Sequence, residues 1–231
     1  MSDTALPSID LHEVEAAVRA AIDRGSNDSL RLLGHGEISL VLAWPTAAPV
    51  AAVKRVPPFR SLAAARQYVG VCDEFFARLT AAGIPFLPTT LHVHERADGR
   101  AVVYHQQPIA DASQLGSNIL RNAEPADGHP LLDAIVDATA KVCTPTLGFD
   151  VQVANWLWDG TTATQIDFTS PFALTADRKE MLYDSHVFLQ EYPVALRPYL
   201  KRELTSLVHR FTTAEGALGD LVGNLFTEGL D

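Results

Sequence analysis

The chain lacks the features that mark several classes of protein. It has only two cysteines, Cys72 and Cys143, and their separation gives neither a disulfide framework nor a zinc-ligand pattern. No apolar run approaches the length of a membrane span, and the N-terminus has no basic segment followed by an apolar core. We therefore expect a cytoplasmic protein without a membrane span or a signal peptide.

Positive charge is also scarce. The sequence has 18 Lys and Arg against 28 Asp and Glu, which gives a formal net charge of -10 and a pI of about 5.2. Nucleic-acid backbones require clustered basic residues, so we expect no nucleic-acid partner. Hydrophobic residues make up 47% of the 231 positions. This composition is globular, and the length suffices for one large domain or two intimate lobes.

Hydrophobic periodicity divides the chain into a mixed front half and a mostly helical back half. An amphipathic helix is predicted over residues 8–24, within an N-terminal helical extension of residues 1–29. The next segment, residues 30–108, is predicted as strand, strand, helix, strand and strand, over 30–44, 50–56, 61–82, 91–96 and 101–107. The last segment, residues 109–231, is predicted to contain a helix over 131–143, strands over 156–158 and 164–168, and helices from 177 onward, broken near Pro193 and Pro198.

The most specific pattern lies in residues 148–172. Asp150 is followed five positions later by Asn155, and Asp167 stands on the following predicted strand. Kinase-type phosphotransferases arrange one base and two magnesium ligands in this order. Taken singly, each residue has an ordinary structural alternative. These are an Asx turn at Asp150, a capping role for Asn155 and a buried, hydrogen-bonded Asp167.

A glycine-containing turn precedes this stretch. Gly34, Gly36 and Ser39 lie between two apolar, β-prone segments. Glycines there would let the backbone approach phosphate oxygens, but an ordinary hairpin turn would use them equally well.

A lysine and a glutamate follow that turn. Ala52 and Lys54 share one face of the next predicted strand by alternation. Glu74 comes twenty positions after Lys54, in the predicted helix. The alternatives are a solvent-facing lysine on an edge strand and a surface carboxylate, and Asp73 is a rival partner for Lys54.

The order of these pieces over residues 30–170 resembles the protein-kinase-like superfamily. It looks most similar to the small, divergent members, the aminoglycoside phosphotransferase-like and RIO-like kinases. The resemblance implies an α+β, bilobal fold, with a small β-rich N-lobe that holds one main helix (residues 30–108) and a mostly helical C-lobe (residues 109–231). It also implies ATP and Mg²⁺ as cofactors and phosphoryl transfer to a hydroxyl of a small molecule. The acidic residues Asp177, Asp184 and Glu191 would suit a cationic acceptor.

The resemblance implies a role for each motif residue. The residues that would bind the nucleotide are Gly34, Gly36 and Ser39 over the phosphates, Lys54 with Glu74 at the phosphates, and Ala52, Gln107 and Leu157 around the adenine. The residues that would act at the transferred group are Asp150, which orients or deprotonates the acceptor hydroxyl, and Asn155 and Asp167, which bind magnesium.

Three positions depart from the family pattern. Leu147-Gly148-Phe149 replaces the histidine-containing run before Asp150, Ser39 replaces a glycine, and Thr169 replaces the last glycine of Asp-Phe-Gly. These departures favour an alternative, a catalytically weak or inactive pseudokinase that serves as a nucleotide-binding or scaffold module. A further alternative is an unrelated α+β binding protein in which the motif is a coincidence. It predicts that no nucleotide binds.

Overall fold

A five-stranded antiparallel sheet and a set of helices make this an α+β protein, as the sequence predicted. The computed structural model describes residues 6–35, 39–124, 128–190 and 192–230. Its strands are β1 Leu32–His35, β2 Leu40–Trp44, β3 Ala51–Arg55, β4 Thr90–Glu95, β5 Ala101–Gln107, β6 Trp156–Trp158 and β7 Ala163–Gln165. Its helices are α1 Leu11–Arg24, α2 Leu62–Ala82, α3 Gly116–Arg121, α4 Pro130–Val142, α5 His186–Leu189, α6 Arg197–Phe211 and α7 Ala214–Glu228. In the described residues, no helix is long and apolar enough to cross a membrane.

The chain divides into two compact units, and each is described by itself. The first unit contains the described residues up to Val69, then Pro88–Ile109 and His186–Phe188. The second unit contains Gly70–Leu87, Ala110–Ser185 and the described residues from Leu189 onward.

The first unit is built on the sheet in the order β1-β2-β3-β5-β4. The predicted β4–β5 hairpin is confirmed, with Glu95 paired to Ala101 across a turn at Gly99, whose φ is 77°. The β-prone segment over residues 30–44 forms two strands, β1 and β2, as its predicted interruption at the glycine-containing turn indicated. All of the pairings in the sheet are antiparallel, so successive side chains alternate between its two faces.

Helix α1 covers one face of this sheet. It begins at Leu11, later than predicted, because the Asp10 carboxylate accepts hydrogen bonds from the first free backbone N–H groups of the helix. It ends at Gly25, whose φ of 64° suits the left-handed C-cap. The apolar residues of the helix pack against alternate residues of β2, β3 and β5 in one buried core: Val14, Val18, Ala21, Leu42, Trp44, Val53, Val102 and Tyr104.

The opposite face of the sheet meets the first turns of α2. His105 on β5 points away from α1, because its neighbour Tyr104 belongs to the core under α1. Tyr68 of α2 makes a hydrogen bond of 2.8 Å to Nε2 of His105. The ring of Tyr68 also packs on Phe59, with a centroid separation of 5.0 Å.

The second unit holds the short β6–β7 hairpin and helices α4, α6 and α7. The Asp159–Gly160 turn is confirmed, since the Asp159 carboxylate accepts hydrogen bonds from the backbone of Thr161 and Thr162. Helix α4 runs over the predicted segment and begins with Pro130 in its first turn. There the missing N–H of proline costs no hydrogen bond.

Two predictions about the back half of the chain are wrong. The helices do not start at residue 177, because residues 174–181 form a tight antiparallel turn closed by the Leu174–Met181 bridge. Pro198 does not break a helix either. It lies in the first turn of α6, where a proline is tolerated.

Candidate active site

A loop that leads from α4 to β6 carries Asp150. The N–H of Phe149 donates to the carbonyl of Phe211, at the end of α6, over 3.1 Å. Oδ1 of Asp150 accepts a hydrogen bond of 3.2 Å from the backbone N–H of Gln152. This Asx turn is the structural alternative for Asp150, and it leaves the half-buried carboxylate fixed in one orientation relative to the loop.

The Phe211 carbonyl also accepts from the thiol of Cys143, with a sulfur–oxygen distance of 3.4 Å. Burial raises the pKa of Cys143 to about 11, although a hydrogen bond with the Phe149 backbone opposes this. The thiol is therefore protonated near neutral pH and can donate. The end of α6 is thus joined to the Asp150 loop at two points.

Gly148 is packed too closely to be replaced by a larger residue. The N–H of Gly148 donates to the carbonyl of Phe172 over 2.7 Å. A Cβ at this position would lie 2.8 Å from the carbonyl carbon and oxygen of Phe211 and 2.9 Å from Cβ of Phe172. The fold therefore admits only glycine two positions before Asp150 without a shift of the backbone.

We expect Gly148→Ala to lower the free energy of unfolding by about 1–3 kcal/mol, because the added methyl group overpacks the contact with Phe211 and Phe172. Urea denaturation of the wild type and the variant measures this change. Gly128→Ala is the control, since its Cβ meets nothing within 4 Å among the described residues. Equal stability of the two variants would contradict the packing argument.

Asn155 lies half-buried at the end of a short 3-10 turn, Val153–Asn155, directly before β6. Its carbonyl accepts a hydrogen bond of 2.9 Å from the N–H of Ile166, the residue just before Asp167. The β6–β7 hairpin thus joins the two predicted magnesium ligands through one main-chain hydrogen bond. Leu157 is buried in the same hairpin, opposite Thr164.

The prediction that Asp167 lies on a strand is wrong. Asp167 follows the hairpin, two residues after the end of β7. Strand β7 ends at Gln165, and the N–H of Ile166 makes one more hydrogen bond in the same register, to Asn155. Oδ1 of Asp167 accepts hydrogen bonds from the N–H (3.0 Å) and the hydroxyl (2.8 Å) of Thr169. Thr169 is buried, and its two hydrogen bonds orient the Asp167 carboxylate. It stands where the kinase pattern has a glycine.

Phe168 anchors the same loop in an aromatic cluster. Its ring packs edge-on against Phe76 and Phe86, at centroid separations of 5.1 and 5.8 Å, and lies 6.4 Å from Phe75. Phe75 also contacts Phe149, at 6.1 Å. The residues next to Asp150 and next to Asp167 therefore share one packed core with α2.

The donor set suits a magnesium ion. Mg²⁺ prefers oxygen ligands and is commonly held by one or two carboxylates together with substrate phosphates and water. The carboxylate of Asp167 and the side-chain oxygen of Asn155 are oxygen donors of this kind. Among the described residues, no group of three or more His, Cys, Asp or Glu could hold a metal ion by itself.

The first unit brings Ala52, Lys54 and Gln107 together on one sheet face. Val53 packs in the core under α1 and Arg55 bonds to that helix, so Ala52 and Lys54 point to the opposite face. Lys54 pairs with His105 across β3 and β5, and Ala52 pairs with Gln107. All three predicted residues are buried, and Gln107 donates to the Thr89 hydroxyl over 2.9 Å.

The remaining predicted residues are placed as follows. Gly34 lies in β1, paired with Val41, and Ser39 is buried just before β2, whereas Gly36 falls outside the described residues. Glu74 is exposed on the part of α2 that belongs to the second unit. Its pairing with Lys54 stays a prediction.

The sequence pattern did not predict a buried ionic cluster centred on Glu15 of α1. Glu15 of α1 is only 4% exposed, and its carboxylate accepts two hydrogen bonds from Arg55, of 2.9 and 3.0 Å. It also accepts from the Tyr104 hydroxyl, and Arg96 lies 3.8 Å away. The helical periodicity could have indicated that Glu15 is buried. Glu15 follows Val14 directly and lies three residues before Val18, so it falls on the apolar side of α1.

The fold is that of an α+β protein in which Asp150 and Asn155 precede the β6–β7 hairpin and Asp167 follows it. A family model matches residues 13–231, so the chain belongs to DUF6206, described as a family of unknown function. No curated protein matches the chain.

Several solved structures are similar to the chain. The kinase domain of PknI from Mycobacterium tuberculosis is 18% identical, and the match covers 84% of this chain and 94% of that domain with a TM-score of 0.31. A mutant of the same domain gives 19% identity, coverage of 84% and 93%, and a TM-score of 0.29.

Proposed function

We propose that the protein is an ATP- and Mg²⁺-dependent phosphotransferase that transfers a phosphoryl group to a hydroxyl of a small molecule. The observation that carries the proposal is the hydrogen bond from the Ile166 N–H to the Asn155 carbonyl. It joins the two segments that flank the β6–β7 hairpin and carry the metal-ligand candidates Asn155 and Asp167. Each of these residues alone has an ordinary structural explanation, but their common location favours a joint role.

Each residue has a defined part in this proposal. Asp150 orients the acceptor hydroxyl and accepts its proton, and Asn155 and Asp167 provide oxygen ligands for magnesium. Bound ATP would supply the phosphoryl group, and the positive charge of Mg²⁺ would neutralise the negative charge of that group. Lys54, on the buried sheet face with Ala52, would bind the phosphates. Most of the rate enhancement would then come from positioning and electrostatic stabilisation.

The proposal includes a bilobal, kinase-like arrangement. Residues 30–108 would form the small lobe and residues 109–231 the helical lobe, as in aminoglycoside phosphotransferase-like and RIO-like kinases. The support is the order of elements, with Lys54 on β3, α2 directly after it, and Asp150, Asn155 and Asp167 around the β6–β7 hairpin.

A thermal-shift titration tests the nucleotide site. ATP, ADP and GTP, each with and without Mg²⁺, should raise the melting temperature of the wild type, because they bind only the folded chain. A nucleotide at 100 times its Kd adds about 2.7 kcal/mol of stability. In Asp167→Ala the Mg²⁺-dependent part of the shift should be lost. If no nucleotide at millimolar concentration shifts the wild type, the proposal fails, and the unrelated α+β binding protein gains support.

A pseudokinase is the second candidate, favoured by the contacts of Gly148 with Phe172 and Phe211. These contacts leave no room for the histidine that kinases have shortly before the catalytic aspartate. A pseudokinase would give the same nucleotide shift as the enzyme but no transfer of phosphate to any hydroxyl acceptor. Screening ADP formation over a panel of acceptors separates the two candidates.

A further inference from the structure

A groove lies beside the Asp150 loop, within the second unit. Its volume is about 540 Å³, which falls in the range of small-molecule sites. The exposed face of α7 forms one wall, through Gly219, Asp220 and Gly223, and Gln152 and Arg210 border the groove from the loop and from α6.

The groove is attached to the proposed catalytic loop at three points. Gln152 lines the groove, and its N–H donates to Oδ1 of Asp150 over 3.2 Å. Phe211 lines it as well, and its carbonyl accepts from the N–H just before Asp150. Asn224 of α7 accepts a hydrogen bond of 3.4 Å from the N–H of Val153. A molecule in the groove would therefore lie against the loop that carries Asp150.

Two glycines in the wall of the groove have no packing explanation. Gly219 and Gly223 occupy the interior of α7, where glycine destabilises a helix relative to alanine. A Cβ at either position would meet nothing within 4 Å among the described residues. In contrast, Gly216 on the same helix is required because a Cβ there would collide with the Arg210 carbonyl. The absence of side chains at Gly219 and Gly223 keeps the α7 backbone open to a ligand.

The lining groups indicate the chemistry of that ligand. Gln152 presents an amide, Asp220 a carboxylate, Arg210 a guanidinium and Thr227 a hydroxyl oxygen. The Asn224 amide is already bonded to the Val153 N–H and to the Glu228 carboxylate, and the Thr227 hydroxyl donates to the Asn224 carbonyl. This mixture of donors and acceptors matches the hydroxyl groups of a polyol. The one carboxylate and one guanidinium among the described lining residues balance, so the groove carries no net formal charge and does not select a strongly charged molecule.

We propose that this groove binds the phosphoryl acceptor, and that the acceptor is a small, uncharged, hydroxyl-rich molecule. The inference rests on the proposed phosphotransferase function. It assigns Gln152, Asp220 and Gly223 to acceptor binding beside the loop that carries Asp150.

Protein NMR tests the inference without any nucleotide. The probes are myo-inositol, D-glucose and glycerol as neutral polyols, with choline and sulfate as charged controls. We expect at least one polyol to shift the backbone amide signals of Gly219 and Gly223 in a saturable way. Gly223→Leu should weaken that binding by at least about tenfold, because the side chain fills the groove. Gly70→Leu, at an exposed helix position that also meets nothing within 4 Å among the described residues, should bind like the wild type.

The possible outcomes separate this inference from the proposed function. Mg-nucleotide shifts without any polyol effect on Gly219 and Gly223 would overturn the groove assignment and leave the phosphotransferase intact. Preferential binding of choline or sulfate in the groove would overturn the ligand class. Polyol binding without any nucleotide shift would overturn the acceptor role, because the function on which it rests would have failed.

Discussion

Replacement of Glu15 by glutamine should lower the free energy of unfolding by about 3–5 kcal/mol, because removal of one partner from a buried ion pair leaves the other charge uncompensated. Glu15 accepts two hydrogen bonds from Arg55 in a site that is almost closed to solvent. Arg96, at 3.8 Å, adds a second positive charge. The neutral amide keeps the shape of the side chain but removes the carboxylate that pairs with Arg55, whereas Arg96 keeps Asp98 at 3.1 Å. Urea denaturation measures the loss.

Glu13→Gln is the matched control, since Glu13 lies on the same helix but is exposed. We expect it to cost less than about 1 kcal/mol, the upper range for a surface charge near a helix N-terminus. If the two variants were equally stable, α1 would not depend on the buried cluster.

The pH dependence of stability should change in the same variant. Burial by itself would raise the pKa of Glu15, but the hydrogen bonds and charge of Arg55, helped by Tyr104 and Arg96, lower the pKa below its ordinary 4.5. A lowered pKa in the folded state adds stability above pH 4.5 that is lost as the pH falls through the folded value. Glu15→Gln should therefore lose less stability than the wild type when the solution is acidified.

Local signals explain why much of the fold could be predicted. The β4–β5 and β6–β7 hairpins were predicted because Asp98-Gly99 and Asp159-Gly160 are turn signals that act over a few residues. The end of β7 could not be predicted in the same way. Beyond Gln165, Thr169 donates two hydrogen bonds to the Asp167 carboxylate, a turn that no strand pattern in the sequence announces.

Long-range packing accounts for what the sequence did not reveal. Arg55 meets Glu15 because β3 and β5 pair Arg55 with Tyr104, and because α1 packs over that part of the sheet. Neither contact follows from spacing along the chain. The groove at Gly223 likewise depends on the packing of α6 and α7 against the loop at Gln152, which a helical pattern alone does not determine. The placement of Ala52 and Lys54 on one face, in contrast, needed only strand alternation.

Asp150→Asn should reduce ADP formation from Mg-ATP by about 100-fold or more, the usual contribution of a positioned general base. Asparagine can still accept the hydrogen bond from the Gln152 N–H, so the loop should keep its conformation while the side chain loses its ability to take a proton. The nucleotide-dependent rise in melting temperature should therefore equal that of the wild type.

The control for this prediction is Asp159→Asn. Asp159 is exposed in the β6–β7 turn and accepts hydrogen bonds from Thr161 and Thr162, which an asparagine oxygen can also accept. Turnover should stay within about twofold of the wild type, since surface substitutions of this kind rarely disturb a fold. If the Asp150→Asn variant also kept wild-type turnover, the only role of Asp150 would be to close the Asx turn. A side chain that closes such a turn needs an acceptor oxygen but no ionisable group.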